Sequence, residues 1–196
     1  DISYSLSFVC ATILAFVFFS DQLLLHWIIF ILIQVWAFRL GLFLLIRIGK
    51  MGKDGRFDEM RSSVIRFGGF WLLQTVTVII MMLPVLFLLN LSSVKLNLFS
   101  YLGILIAISG LTIEIIADLQ KAKFKKNNPG KLYTKGLYSY VKYPNYSGEI
   151  LFWIGIFTIG MNDYTVFSWL VILSPIWIYV LLRYISGIPL IESKRT

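Results

Sequence analysis

The stretch Leu98–Lys126, LFSYLGILIAISGLTIEIIADLQKAKFKK, decides the fold. Its first part, Leu98–Ala117, holds one charged residue, Glu114. A helix of about 20 apolar residues crosses the roughly 30 Å hydrocarbon core of a bilayer. The run lacks the alternation of period two that marks a strand, so it reads as a helix. Charges follow at once: Asp118, Lys121, Lys123, Lys125 and Lys126. An apolar span that ends in a basic cluster is the signature of a membrane helix leaving the bilayer.

The same reading extends outward in both directions. Before this fourth span lie Ile2–Ser20, then Gln22 to about Ile48 interrupted by Arg39, then Phe67–Leu89, where Pro84 predicts a kink. After it come Tyr146–Gly160 and Tyr164 to about Ile185. Lipid admits only helices and closed barrels, and these runs are too long for barrel strands. The expected architecture is all-α, a polytopic transmembrane helix bundle with about six helices, forming a single transmembrane domain over residues 1–196. Composition agrees. Hydrophobic residues make up 58% of the 196 and charged residues 14%, against roughly 45–50% and about 25% in soluble domains.

The net charge of +8 is confined to short loops, so the basic balance points to a membrane surface and not to nucleic acid. One cysteine, Cys10, and one histidine, His26, give neither a disulfide framework nor a metal-ligand cluster. His26 reads as structural. The turns after spans one, three and five carry only Asp21, Lys95 and Asp163, while the other connections are basic. Arg47, Lys50, Lys53, Arg56, Arg61 and Arg66 follow span two; Lys121 to Lys142 follow span four; Arg183, Lys194 and Arg195 close span six. With even parity all three clusters share one side, which the positive-inside rule assigns to the cytoplasm or its organellar equivalent. No secretory signal is visible. A start at Asp1 and a stop at Thr196 predict that both ends are incomplete.

Chemistry is expected where acids meet this basic side. Glu114, Asp118, Lys121 and Lys125 fall on one helix face that runs from the span into the loop. An acid at membrane depth is costly and marks a functional site by default; snorkelling lysines around a structural ion pair are the plainer alternative. Further on, Lys142-Tyr-Pro144-Asn145-Tyr146-Ser-Gly148-Glu149 reads as a helix start, with Asn145 as cap. Its free amides and nearby lysines favour an anion such as phosphate, and Glu149 points one turn deeper. A well-made interfacial turn in an aromatic belt is the alternative. Arg39, inside span two, needs a carboxylate such as Asp118 or Glu149, or a polar group of a cofactor.

Several of these pieces together resemble the DUF1295 family, which groups with steroid 5-alpha-reductase-like membrane proteins. They are Ala117-Asp118-Leu-Gln-Lys121, Gly136-Leu-Tyr-Ser-Tyr140, Pro144-Asn145-Tyr146-Ser-Gly148-Glu149 and Trp153-x-Gly155. Arg39-Leu-Gly41, Arg47, Arg56-Phe57-Asp58-Glu59-Met60-Arg61 and Ser186-Gly187-Ile188-Pro189-Leu190 extend the likeness over nearly the whole chain. The resemblance implies a family fold of about seven helices, an NADPH site in the cytoplasmic half, and a lipophilic substrate entering from the bilayer. By position it implies that Arg39, Arg47, Asp118, Lys121, Lys125, Asn145, Tyr146 and Glu149 contact the cofactor. It assigns no catalytic residue here and no metal. The implied reaction is reduction of a C=C bond in a steroid- or lipid-like enone. Two departures keep alternatives open. Tyr143 stands where many relatives have histidine, and Ser147 where they have an aromatic. A catalytically silent structural subunit among other membrane subunits is one alternative. An S-adenosylmethionine-dependent membrane methyltransferase, whose isoprenylcysteine-type members share a similar fold, is the other.

Overall fold

A computed structural model of the chain describes residues 2–51, 63–93, 95–128, 131–166 and 168–186, the side chains of residues 47, 50 and 51 excepted. Among the described residues the chain is helical, with no strand. The helices are α1 (Ile2–Phe19), α2 (Leu24–Met51), α3 (Val64–Leu89), α4 (Leu98–Asn127), α5 (Pro144–Ile159) and α6 (Leu173–Val180). A 3-10 turn, Gly136–Ser139, precedes α5. A second, Ser168–Ile172, leads into α6, and a π-type turn, Leu181–Ile185, ends it. Five helical segments are long and apolar enough to cross a membrane: Ile2–Phe19, Leu24–Ile46, Val64–Leu89, Leu98–Asn127 and the composite Ser168–Ile185.

The expected spans differ from these helices in three instructive places. The fourth does not stop at Ala117 but continues to Asn127. Leu, Gln, Lys and Ala are strong helix formers, and Lys125 and Lys126 in the last turn complement the negative end of the helix dipole. The last span begins at Ser168 and not at Tyr164, because the Ser168 hydroxyl accepts the Thr165 amide at 2.5 Å and holds a turn before it. The third begins three residues earlier than Phe67, at Val64, and runs to Leu89 with Pro84 buried inside it.

The chain divides into two compact units, residues 1–95 and 96–196. In the first, α1 packs against α2 and α3. Phe8, buried in α1, meets Trp36 of α2 edge to face at 4.9 Å. The Ser5 hydroxyl donates to the Ala37 carbonyl at 2.6 Å, and the absence of a side chain at Gly41 leaves it room. Gln34 donates to the Val9 carbonyl at 3.3 Å. Such polar ties join helices where lipid offers no hydrophobic drive between them. The α1–α2 turn is closed by the Ser20 hydroxyl, which accepts the Gln22 amide and bonds His26 Nδ1 at 2.9 Å. His26 is fully buried there.

In the second unit, α4 and α5 pack backbone to backbone. Gly103, Ala107, Gly110 and Ala117 form a small-residue stripe on α4, and Gly148 and Gly155 answer it from α5. A Cβ at Gly110 would sit 2.5 Å from Phe152 N and 2.6 Å from the Gly148 carbonyl oxygen. One at Gly103 would sit 2.5 Å from Ile159 N. At the far end the Asn97–Ser100 capping box starts α4, and the Ser100 hydroxyl reaches the Ile159 carbonyl at 3.4 Å. Beyond α5 the chain turns at Gly160–Asp163, where the Tyr164 hydroxyl donates to the Phe157 carbonyl at 2.6 Å.

Two predictions follow from these contacts. Gly110→Ala forces backbone apart and should destabilise the protein by about 1–3 kcal/mol, read as thermal unfolding in detergent. Gly68→Ala, with nothing within 4 Å of its Cβ, should be neutral or stabilising; an equal loss at both positions would refute the packing account. The second concerns Asp163, whose Oδ2 is buried with no hydrogen bond among the described residues. Burial raises its carboxyl above the usual range. A raised folded-state value means stability is full at low pH and lost as pH rises through that value. Asp163→Asn should therefore melt higher than wild type at neutral pH, and the gap should close in acid.

Candidate functional site

In the second unit Asp118, Lys121, Lys125, Asn145 and Tyr146 lie toward the end where α4 finishes and α5 begins. Glu114 is 2% exposed and lies against Gly148 of α5. A Cβ at Gly148 would sit 2.8 Å from Glu114 N and 3.0 Å from Glu114 Cβ, so the glycine makes room for this acid. One turn on, Asp118 is half-buried, then Lys121 is half-buried and Lys125 is exposed. The face thus steps from the interior to the surface in the order the helix period dictates.

The segment that returns to α5 is tied to this face by Gln120. Its Oε1 accepts the Leu137 amide at 3.1 Å. Gly136 adopts a φ of +61°, and a Cβ there would lie 2.6 Å from the same oxygen. Both the left-handed backbone and the close approach require glycine. The 3-10 turn Gly136–Ser139 starts from this clamp and carries Tyr138. The Tyr138 ring meets Tyr133 edge-on at 5.5 Å, and Tyr133 packs on Phe124 of α4 at 5.0 Å.

The Tyr138 hydroxyl is buried and has no hydrogen-bond partner among the described residues. Burial is the largest cause that pushes its phenol well above the ordinary tyrosine value, followed by the neighbouring Asp118, Tyr146 and Tyr133. The phenol is therefore a protonated donor through the physiological range, within the electrostatic reach of Asp118. A buried donor without a partner is costly unless something satisfies it. Tyr146, half-buried on the first turn of α5, stacks on Tyr143 at 5.8 Å.

The expected cap is not formed. Pro144 takes the first helical position and Tyr143 the cap position, with no side-chain cap bond. Proline's fixed φ suits that first position, which leaves Asn145 inside the first turn, half-buried. Glu149 follows one turn deeper, also half-buried. Asp118, Lys121, Lys125, Asn145, Tyr146 and Glu149 therefore all belong to the second unit. Arg39 and Arg47 lie on α2, in the first unit. Arg39 is half-buried with its Nε and Nη1 buried, and the Arg47 side chain lies outside the described residues. The motif residues Arg56–Arg61 and Gly187–Leu190 lie outside them too.

Sequence reasoning passed over Gln120 and Tyr138 as site residues. The signal that could have found them is Gly136 itself, a lone glycine next to a Leu-Tyr pair after a polar loop. The arrangement offers a carboxylate, an amine and a phenol donor at one corner of an otherwise apolar bundle, enough to hold a polar, partly anionic ligand. Gln120→Leu removes the acceptor that fixes the turn. It should speed amide hydrogen exchange at Leu137 and Tyr138 by about tenfold, the equivalent of one net hydrogen bond, while exchange at Gly103 and Gly110 stays unchanged.

No curated protein and no solved structure matches this chain. The family model described as "Protein of unknown function (DUF1295)" matches residues 1–196. With the match running from the first residue to the last, the chain belongs to the DUF1295 family.

Proposed function

We propose that this protein is a membrane-embedded reductase that uses NADPH to saturate a C=C bond in a lipophilic enone. The observation that carries the reading is the buried Tyr138 hydroxyl beside Asp118 and Tyr146. A dinucleotide fits that corner chemically. The phenol donates and Asp118 accepts, which suits ribose hydroxyls or a carboxamide. Lys121 and Lys125 supply positive charge for phosphates. When bound, NADPH supplies the hydride for one carbon of the conjugated double bond, and a proton at the other completes the saturated product. The chain's own part is to bind and orient the cofactor and to keep water from the apolar bundle, where electrostatic interactions are stronger. The charge distribution supports a cytoplasmic aspect for this corner. The apolar lateral surface supports a substrate that arrives through the bilayer.

The test is a titration of purified protein with NADPH and with S-adenosylmethionine, read by tryptophan fluorescence. NADPH should bind. Asp118→Ala and Tyr138→Phe should each weaken it by about tenfold, as loss of a buried hydrogen bond does. Lys95→Ala, in the other unit, should leave it unchanged. Binding of the methyl donor alone would make the protein a methyltransferase and sink the reading. Binding of neither, with other membrane proteins co-purifying, would make it a structural subunit and sink it equally.

A further inference from the structure

A second feature of the same unit lies on another side of α5. Tyr143, Tyr146, Ser147 and Ile150 share one helical face, distinct from the Gly148–Phe152–Gly155 face that meets α4. Together with Val141, Lys142, Tyr179, Leu182 and Arg183 they line a groove of about 220 Å³ between the start of α5 and the end of the last span.

The lining has a sharp division of chemistry. Two cations, Lys142 and Arg183, stand at one end, and no acid is among the lining residues. Both cations lean on rings: Lys142 Nζ lies 5.3 Å from the centroid of Tyr143, and Arg183 Cζ 5.8 Å from that of Tyr184. Ring contacts of this kind at exposed sites are individually weak attractions. Further from the two helix ends the lining is formed by Ile150 in the second turn of α5 and by Tyr179 one turn before Arg183. Val141 and Tyr179 are each 46% exposed beside the groove. Tyr179 and Arg183 lie on Ser168–Ile185, a segment long and apolar enough to cross the membrane. The cationic end coincides with the basic end of that segment, where headgroups meet the protein.

We propose that this groove is a binding site for an anionic membrane phospholipid. Its phosphate is held between Lys142 and Arg183 and its acyl chain lies along Ile150 and Tyr179. The paired cations match a phosphodiester, and the apolar continuation matches a tail that a soluble phosphate does not have. The first turn of α5 faces the same groove, so its dipole adds to the attraction. The site is independent of the proposed reductase activity: it would hold lipid whether or not the corner behind it binds a dinucleotide.

Native mass spectrometry of the full chain in neutral detergent reads this directly, with dioleoyl phosphatidylglycerol and dioleoyl phosphatidylcholine titrated in parallel. Phosphatidylglycerol should bind in preference to phosphatidylcholine. Lys142→Gln and Arg183→Gln should each weaken that binding about fivefold, the usual effect of one interfacial cation. The charge-keeping Arg183→Lys should retain most of it, which separates lost charge from lost folding. Lys95→Gln should have no effect. Equal binding of the two lipids, or an equal loss in Lys95→Gln, would overturn the proposal. So would displacement of phosphatidylglycerol by inorganic phosphate or by NADPH at the concentration of the lipid, since either would show that the groove serves a soluble phosphate.

Discussion

Everything in the second unit depends on how closely two helix backbones can approach. Gly103 and Gly110 on α4, with Gly148 and Gly155 on α5, let carbonyls of one helix lie where side chains would otherwise stand. Between helices in lipid the hydrophobic effect offers little, so attraction comes from dispersion and weak backbone contacts over a short range. That attraction falls off steeply once a methyl group intervenes. The seam also fixes rotation and register, and these decide which α4 residues face α5. Glu114 is buried because Gly148 leaves it a place. Asp118 and Lys121 then follow outward along the same face.

The sequence made the membrane character plain, because apolar length and charge placement are one-dimensional properties. The extents of the spans were less plain. The continuation of α4 past Ala117 rests on helix propensity beyond the apolar run, which a hydropathy reading does not register. The glycine seam was legible in principle, since Gly103 and Gly110 are seven residues apart, as are Gly148 and Gly155. Seen singly, each looked like an ordinary residue of a membrane helix; only the pairing of two such spacings carries the information. Asn145 was misread as a cap because the preceding proline takes the first helical position itself, which moves the helix start two residues earlier. Tyr138 was hidden for a different reason. Its burial follows from the left-handed Gly136 and the Gln120 clamp, a tie of which only the lone Gly136 was visible in the sequence. Arg39 and Arg47 belong to the other unit, so their role depends on tertiary geometry that spacing cannot supply.

Tyr146 has a double position in the second unit. Its ring stacks on Tyr143 and lines the groove beside Lys142 and Arg183. Its phenol also belongs to the surroundings of Tyr138. The polar corner and the cationic groove therefore have Tyr146 in common. Around that residue α4 carries Glu114 and Asp118 together with Lys121 and Lys125, while the groove carries Lys142 and Arg183.

The shortness of α5 bears on how the chain enters its membrane. With 16 residues it is about 24 Å long, less than the roughly 30 Å of a hydrocarbon core, and it carries Glu149 in its second turn. Presented alone to the insertion machinery, such a segment is a poor candidate for partition into lipid. Helix α4 is almost twice as long, and its small-residue stripe is the complement that α5 lacks by itself. The two are thus one unit of packing: what holds α5 in place is its close seam with α4 and not its own apolar length.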